Sequence, residues 1–453
     1  MKKDNINIVL LKKDLRLQDN QVLYEAICSK DRTLLLYTIE NNSSAGFNHS
    51  KRQIDFIKES LLNLNSILKL YDTKILIVQS EATKAISILQ QFWNIKRIYF
   101  HKDYDAPFLT QQYRMLYRFC KNNLIQKIEI DPYKDLCFDK NNIEFNTYFN
   151  TKSIPFIPTK DSFITLQKVQ DLEKFFSTVE LTVNKNSFIL KGGPSSAQNN
   201  LSNLSRLDKN QINIQELIYK LSPFISWGNI SLRQVWQYLS EETDQIVSLE
   251  KFLHTIRWNI HYIQHNEFLK YSNKIDTYKN SNNNLLSQNA WEKGMTGYPI
   301  IDAIMRCLQK NGNINYKMRM LTVLFYKQYL LLPWSDAVEF LSKNLLDSSP
   351  GIQFNYFETL NKNNAQNKRR ILFNIIKHSK DIDPKGFFIR NHIPELRNIP
   401  NEFIYKPHKM IITIQKFHQT IIGKDYPKPI VRNIINDKIQ LYNLENYLNL
   451  TKN

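Results

Sequence analysis

The sequence has few of the residues that hold a fold together through disulfides or metals. It contains four cysteines in 453 residues, widely spaced and without a CxxC pair. This spacing argues against a disulfide framework, a zinc site or a cysteine-ligated iron–sulfur cluster. His261 and His265 lie four apart on a predicted helix, but there is no HExxH motif and no third ligand. We interpret them as a solvated helix pair and predict no metal site.

Long apolar stretches are also missing. Near the N-terminus the apolar run Ile8–Leu11 is short and flanked by charges, and no run reaches 18 residues. A secretory signal and a membrane-spanning helix both need a longer run. We therefore expect a cytoplasmic monomer without a membrane partner.

The first 130 residues nevertheless have the pattern of an α/β domain. Short runs of apolar and β-branched residues alternate with amphipathic helical patterns, which predicts a five-stranded parallel sheet of Rossmann-like type. The GxGxxG and Walker A motifs are both missing, so this domain is not an obvious dinucleotide or NTP site. The predicted strands are 6–11, 33–39, 74–78, 96–100 and 126–130.

The pattern changes after this domain. Residues 132–194 have weak periodicity and polar interruptions, whereas helical periods dominate beyond Gly192-Gly193-Pro194. We predict an α/β domain over residues 1–131, an interdomain linker over 132–194 and an all-α domain over 195–453.

The chain is strongly basic. Its 61 Lys and Arg residues against 42 Asp and Glu give a net charge of +19, and residues 361–432 alone hold 15 basic and 5 acidic residues. Such a balance favours a polyanionic partner, because neutralised phosphates release counterions. A composition bias toward Lys, Asn and Ile is the alternative explanation. The charge supports a nucleic-acid partner without proving one.

Five blocks of sequence resemble the photolyase/cryptochrome superfamily, and two of them are Leu345–Phe357 and Phe388–Leu396, the latter similar to F-I-R…L-P-E-L. Leu11–Asn20 is similar to the family's opening F-R-R-D-L-R-x-x-D-N, although a loop in which Asp19 or Asn20 caps the next helix explains part of that pattern. Trp291–Leu308 matches W-x-x-G-x-T-G-x-P-x-x-D-A-x-M-R-x-L almost position for position, and Leu221–Arg233 resembles L-S-P-Y-L-x-x-G-x-x-S-x-R. The resemblance implies an α/β antenna-type domain, a linker and a helical FAD-binding domain.

The resemblance implies FAD as cofactor, with a second antenna chromophore, folate or deazaflavin, left open. It places a buried Arg–Asp pair next to N1 and N5 of the flavin, where it helps to hold the reduced, anionic ring. An interhelical salt bridge without a cofactor is the alternative for that pair. The implied cofactor-binding residues are Lys220 and Ser222 at the diphosphate, Arg319 with Asp347, Gln353 opposite N5, and Ser349 in place of the family's second flavin-side Asp.

The substrate side departs from the DNA-repairing members of the family. In these members a Glu and a Trp of one helix face a flipped pyrimidine dimer; here Trp258 is kept, but Thr255 replaces the Glu. Tyr316 replaces the substrate-side Asn, and Lys317 replaces its Arg neighbour. A threonine does not substitute in kind for a carboxylate, so dimer repair by the usual contacts is in doubt. The implied DNA-binding residues are Trp258, Tyr316, Lys317, Lys368, Arg369 and Arg370.

The family's chain of three electron-relaying tryptophans is incomplete. Trp334 takes the middle place, while Phe357 takes the flavin-proximal place and the outer one falls near Ser281. Phenylalanine is much harder to oxidise than tryptophan, so Tyr356 or Tyr326 would have to substitute, with an acceptor for its proton. Alternatively, Trp334 is only a packed core residue. The implied catalytic residues are Trp258, Trp334 and Gln353.

Two functions remain open. The first is a deoxyribodipyrimidine photo-lyase, a carbon–carbon lyase that repairs UV pyrimidine lesions in DNA by electron transfer from reduced flavin; the basic charge and Trp258 favour it. The second is a cryptochrome-like blue-light photoreceptor with flavin redox signalling and no repair activity, which Thr255 favours. A nucleic-acid-binding relic that has lost FAD is a third. We favour the photolyase, with the lesion, cyclobutane dimer or 6–4 photoproduct, unassigned.

Overall fold

The chain forms two compact units in a computed structural model. The first unit comprises Met1–Glu267 with Leu346–Ile352, and the second comprises Phe268–Leu345 with Gln353–Asn453. Among the residues that the structure describes, no helix has the length and apolar character needed to cross a membrane. The described residues are 3–39, 50–103, 107–136, 147–177, 190–205, 214–242, 246–264, 285–348 and 374–431.

The first unit is built on a five-stranded parallel sheet, as predicted. Its strands are β1 (Asn5–Leu11), β2 (Arg32–Thr38), β3 (Leu76–Val78), β4 (Asn94–His101) and β5 (Gln126–Ile130). They pair in the order β3-β2-β1-β4-β5. β3 is shorter than the predicted strand, because the backbone N–H of Ile75 bonds the side chain of Asn65 instead of a neighbouring strand.

Helices of the first unit pack on this sheet and extend its core. Alternate residues of β1 face opposite sides, so Val9 belongs to one apolar cluster and Ile8 to another. The Val9 cluster continues into Phe224 and Phe252 of the later helices. The helices are α1 (Gln21–Ile27), α2 (Lys51–Leu68), α3 (Ala82–Leu89), α4 (Pro107–Asn122), α5 (Leu166–Glu173), α6 (Pro194–Ser205), α7 (Ile214–Ser226), α8 (Leu232–Glu242) and α9 (Ile246–Gln264).

The strand order reverses between β1 and β4. In open α/β sheets such a reversal leaves a crevice beyond the carboxyl ends of the two strands. Leu11 and His101 end these strands, so the residues that follow them border the predicted crevice.

The residues predicted to form the linker are partly helical. Val169 and Leu172 of α5 are buried in the same apolar cluster as Ile8. Thr33 of β2 also forms an isolated bridge with Phe163. The exact domain boundaries stay a prediction.

The second unit is helical, as predicted. Its helix α11 begins at a proline, Pro299, and ends before Gly312, whose φ of 69° is the left-handed conformation that glycine adopts at a helix end. Ile304 and Leu308 on its buried face belong to the same apolar cluster as Phe325. The helices are α10 (Leu285–Glu292), α11 (Pro299–Asn311), α12 (Tyr316–Gln328), α13 (Trp334–Asn344), α14 (Ile375–Ile382), α15 (Phe387–His392) and α16 (Ile412–Phe417).

Candidate functional site

The loop that follows β1 is held by its own polar residues. Asn20 caps α1 by accepting a hydrogen bond from the backbone N–H of Leu23 (3.1 Å), and its amide donates to the carbonyls of Asp14 (3.2 Å) and Arg16 (3.0 Å). The capping interpretation of this block is therefore correct for Asn20. The same residues also hold the loop in one conformation, which a capping role alone does not require.

Asp19 ties this loop to the start of α8. Its carboxylate accepts hydrogen bonds from Ser231 Oγ (2.5 Å) and Arg233 Nη1 (3.0 Å), and both charged side chains are largely buried, at 3% exposure for Asp19 and 11% for Arg233. The backbone N–H of Ile154 also donates to it (3.1 Å). The Arg233 guanidinium lies 4.2 Å from the ring centre of Tyr148. Because a buried charge requires a partner, this network fixes the loop on α8.

A buried asparagine adds further hydrogen bonds at this junction between the β1 loop and the block Leu221–Arg233. Asn229 donates to the carbonyl of Leu15 (3.2 Å) and accepts from Ser60 Oγ and the Gly193 N–H (both 3.2 Å). Gly228 has a φ of 68°, and a Cβ there would lie 2.2 Å from the Lys13 carbonyl oxygen. Only glycine allows this approach. The block Leu221–Arg233 is thus an anchor for the β1 loop.

The same block reaches the segment that carries Asp347. Trp227 is buried, and its indole Nε1 donates to the carbonyl of Leu346 (2.7 Å). Leu346 is itself buried in the apolar cluster of Phe224. The backbone next to Asp347 is therefore fixed from α7, within the first unit.

Lys220 and Ser222 lie two residues apart on α7, and both are half-buried. Ser222 Oγ donates to the carbonyl of Tyr219 (3.0 Å); a hydroxyl can rotate to donate to an anion instead. Residues two apart on a helix do not face each other, so the helix alone does not bring the two side chains to one point. Their role at the cofactor diphosphate stays a prediction.

A buried carboxylate–imidazole contact, which no sequence pattern predicted, lies at the reversal of the sheet. His101 Nδ1 lies 2.8 Å from Asp14 Oδ2, joining the ends of β4 and β1. Burial by itself raises the pKa of Asp14, but the contact with His101, the hydrogen bond from the Lys12 N–H and the charge of Arg16 together outweigh it, so the pKa is below its ordinary value. Burial lowers the pKa of neighbouring Lys13 and raises that of Tyr113. Asp14 lies within the opening block, but nothing in the sequence pairs it with His101.

The Trp291–Leu308 block folds around the buried carboxylate of Asp302. Asp302 accepts hydrogen bonds from the N–H (2.7 Å) and hydroxyl (2.7 Å) of Thr296, from the Gly297 N–H (3.0 Å) and from the Tyr426 hydroxyl. Burial raises the pKa of Asp302 against the effect of these donors. A Cβ on Gly297 would lie 2.4 Å from the backbone of Lys428. In this structure the block acts as a structural anchor for residues 426–431.

Helix α12 carries three predicted site residues, of which two are exposed and one is half-buried. Asn315 caps this helix by accepting a hydrogen bond from the Met318 N–H (3.0 Å). Tyr316 and Lys317 on its first turn are exposed. Arg319 is half-buried; its Nε donates to the Ile314 carbonyl (2.9 Å) and its Nη2 to an asparagine side chain. Arg319 lies in the second unit and Asp347 in the first, so their pairing stays a prediction.

The aromatic residues of the predicted electron path are only partly described. Trp334 begins α13 and is half-buried against the core of the second unit. Tyr326 is fully buried, 4.8 Å from Trp291 between ring centres, and its hydroxyl bonds no described residue. Burial raises the pKa of Tyr326 further. A buried tyrosine without a proton acceptor is a poor substitute for the missing tryptophan.

Several predicted residues lie outside the described part of the chain. Trp258 belongs to α9, but its side chain is not among the described ones, whereas nearby Thr255 is half-buried. The remaining residues outside the described ranges are Ser281, Ser349, Gln353, Tyr356, Phe357, Lys368, Arg369 and Arg370.

Two family models match the chain. The DNA photolyase model matches residues 7–131, and the model of the FAD binding domain of DNA photolyase matches residues 244–444. The second range includes Arg319 and Asp347 but begins after Lys220 and Ser222. These matches describe an α/β domain followed by a helical FAD-binding domain, the arrangement of a two-domain flavoprotein.

A photolyase and a cryptochrome each match nearly the whole chain. It is 26% identical over 475 aligned positions to the deoxyribodipyrimidine photo-lyase of Buchnera aphidicola, with 94% of each chain covered. It is 25% identical over 478 positions to cryptochrome DASH of Synechocystis, again with 94% of each covered. A bacterial class III photolyase from Agrobacterium tumefaciens shares the fold with a TM-score of 0.78 at 20% identity, covering 100% of this chain and 99% of that one. The chain belongs to the photolyase/cryptochrome superfamily.

We predict that Asp19→Ala destabilises the first unit. The variant leaves Arg233 buried without its carboxylate, a loss of about 3–5 kcal/mol for a broken buried pair. Denaturant unfolding checks this. Asp161→Ala, which removes a 91% exposed partner of Arg32, is the matched control and should change little. Equal stabilities for Asp19→Ala and wild type would show that the Asp19–Arg233 pair does not stabilise the first unit.

We predict that His101→Gln gives a pH-dependent loss of stability. In wild type the pKa of Asp14 is lowered, so its contribution is complete above the ordinary value of about 3.8 and is lost as pH falls below it. In the variant the pKa of Asp14 should be higher than in wild type, because the imidazole no longer lowers it. Near neutral pH we expect a deficit of about 1–3 kcal/mol, shrinking toward pH 4 as Asp14 takes up a proton.

Urea unfolding at a series of pH values measures this deficit. Lys102→Gln, which removes the partly exposed pair with Asp131, is the control and should show a small difference that does not vary with pH. A deficit of His101→Gln that stays constant from pH 7 to 4 would show that Asp14 does not depend on the imidazole.

Proposed function

We propose that the chain is a light-driven DNA photolyase that uses FAD to repair UV-induced pyrimidine lesions. The observation that carries the proposal is the first turn of α12, which has two exposed residues and a half-buried arginine. Tyr316 and Lys317 face outward there, where an aromatic ring and a cation suit a base and a phosphate. Arg319 on the same turn is half-buried, as a cation for an anionic cofactor would be. The full-length match to a deoxyribodipyrimidine photo-lyase supports the same reading.

Different residues of the chain would hold different parts of FAD. Lys220 and Ser222 would bind the diphosphate, and Arg319 with Asp347 would lie next to the flavin ring. When bound, reduced FAD supplies an electron under blue light and recovers it after the lesion bond has broken. Asp347 would keep Arg319 oriented and partly neutralised, so that the pair favours the reduced ring without an isolated buried charge.

The DNA side would use the residues of α9 and α12 together with basic residues further along. Trp258 would stack on the flipped base. Lys317, with Lys368, Arg369 and Arg370, would neutralise phosphates and fix the position of the strand. Tyr316 takes the place of the substrate-side Asn, so we expect base contacts that differ from those of other photolyases.

A cryptochrome-like photoreceptor is the second candidate. The observation that favours it is Thr255 on α9, which offers a hydroxyl where a carboxylate would contact a dimer. The 25% identity to cryptochrome DASH over 94% of both chains also supports it. On this alternative the flavin domain is kept for redox signalling, and repair is absent.

A repair assay separates the two candidates. Purified protein loaded with FAD is reduced and illuminated with DNA that carries either a cyclobutane dimer or a 6–4 photoproduct, in single- and double-stranded form. We expect light-dependent loss of one lesion, with Lys317→Gln weakening turnover at low substrate. Full flavin loading without repair of either lesion would favour the photoreceptor.

We place the second chromophore, folate or deazaflavin, in the crevice beyond β1 and β4. This rests on the reversal of strand order there and on the polar group of Lys13, Asp14 and His101 at its edge. A chromophore that copurifies with wild type and is lost in His101→Gln would support this position, provided that FAD content is unchanged.

We predict that Asp347→Ala lowers FAD occupancy. Removal of the carboxylate would leave Arg319 with an uncompensated charge, a loss of about 3–5 kcal/mol if the pair is buried as proposed. The ratio of flavin to protein absorbance measures occupancy. Asp381→Ala, in an exposed side chain of the second unit, is the control. Full occupancy in Asp347→Ala would show that this residue does not serve the cofactor.

We predict that Trp334→Phe slows photoreduction. The bound cofactor is illuminated with a thiol donor, and the loss of its oxidised absorption band is followed. Because Phe357 interrupts the usual path, wild type should itself be slow, and the variant slower. Tyr326→Phe should match wild type, since the Tyr326 hydroxyl has no proton acceptor among the described residues. Equal rates for Trp334→Phe and wild type would remove Trp334 from the path.

A further inference from the structure

An open groove runs along α15 and the turn that follows it in the second unit. Its volume is about 530 Å³, and its lining among the described residues is two phenylalanines, two arginines and an amide, with no carboxylate. The size falls within the range typical of small-ligand sites. The lining residues are Phe387, Phe388, Arg390, Asn391 and Arg397.

One arginine of the groove is structural. Arg390 donates to the carbonyls of Lys385 (2.9 Å) and Ile399 (2.7 Å) and to the side chain of Asn401 (2.8 Å). These bonds join the two ends of the segment 385–401 across α15. Arg390 therefore fixes the shape of the groove and is committed to the fold.

The two phenylalanines have different environments. Phe388 packs against the core of the second unit and lies 4.6 Å from the His392 ring. Phe387 is the first residue of α15 and is 69% exposed. The Phe387 ring lines the groove and is accessible from it. Phe387 thus offers a free ring face on a rigid backbone.

The charge of the groove is positive. Arg397 is exposed, and its guanidinium makes no hydrogen bond or ion pair with a described residue. The nearby carboxylates are engaged elsewhere: Glu395 accepts from Arg306 at 2.8 Å, and Asp383 accepts from the Ile389 N–H at 2.9 Å. Arg397 is therefore available for an anion, and neither Glu395 nor Asp383 pairs with it.

We propose that this groove binds a nucleotide of single-stranded nucleic acid. The base would stack on Phe387, the Asn391 amide would meet the base edge, and Arg397 would bind the adjacent phosphate. Alternating aromatic and basic groups are the pattern by which proteins hold single strands without reading sequence. The inference rests on the nucleic-acid partner proposed above but concerns an undamaged nucleotide, separate from the residues assigned to the lesion.

The test measures binding of a fluorescent oligothymidylate to the full, FAD-loaded chain in the dark, over a range of salt. We expect Phe387→Ala to weaken binding by about 5- to 100-fold, the loss typical of one stacked base, and Phe387→Trp to restore it. Arg397→Gln should lower the slope of log affinity against log salt by about 0.7. The controls are Phe417→Ala, at an 82% exposed ring on α16, and Lys424→Gln, at an exposed cation.

Two further probes identify the source of the nucleotide. An abasic strand of equal length should bind more weakly and be insensitive to Phe387→Ala, while thymidine monophosphate should bind far more weakly than the strand. Equal loss for the abasic and base-carrying strands would overturn stacking. Phe387-dependent binding of the monophosphate as tight as that of the strand would overturn the strand as ligand.

The repair assay keeps this inference distinct from the proposed function. If neither lesion is repaired but oligothymidylate binding depends on Phe387, the groove stands and the repair function fails. If repair occurs and Phe387→Ala binds oligothymidylate like wild type, the groove is wrong and the repair function stands.

Discussion

In the first unit, the carboxylate of Asp19 accepts hydrogen bonds from Ser231 and Arg233 at the start of α8 while its own loop follows directly from β1. Asn229 adds contacts to Leu15 and Gly193 on either side. Because these groups are buried, each depends on its partner to offset the loss of water. The junction makes the sheet and the helices of this unit one body, so the segment held by Trp227 is fixed relative to the sheet.

The architecture of the sheet was predictable from sequence because its strands are short local runs with a clear period. The capping role of Asn20 was also predictable, since the cap and Leu23 lie three residues apart. Asp19 and Arg233 are separated by 214 residues, and Asp14 and His101 by 87. No local rule pairs residues at such distances. Family resemblance marked the blocks but did not show that Leu221–Arg233 and Trp291–Leu308 anchor other chain segments.

The proposed function requires a cofactor side and a nucleic-acid side in one fold. On the proposed function the first turn of α12 would serve both sides, since Lys317 is exposed and Arg319 is half-buried. The family's carboxylate toward the dimer is absent, with Thr255 in its place. The groove of Phe387 and Arg397 adds a basic, aromatic surface elsewhere in the second unit. On the proposed function the exposed Lys317 and this groove would contact DNA, whereas Thr255 by itself favours the photoreceptor.

The most direct test of this account is amide hydrogen exchange in Asn229→Ala, compared with wild type in the FAD-loaded chain. Asn229 contacts the β1 loop and the Gly193 turn, and it follows Trp227, which binds Leu346. The account predicts that exchange accelerates together in peptides covering residues 12–20, 190–197 and 345–348. Acceleration confined to residues next to 229 would contradict it, since the junction would then not hold these segments together.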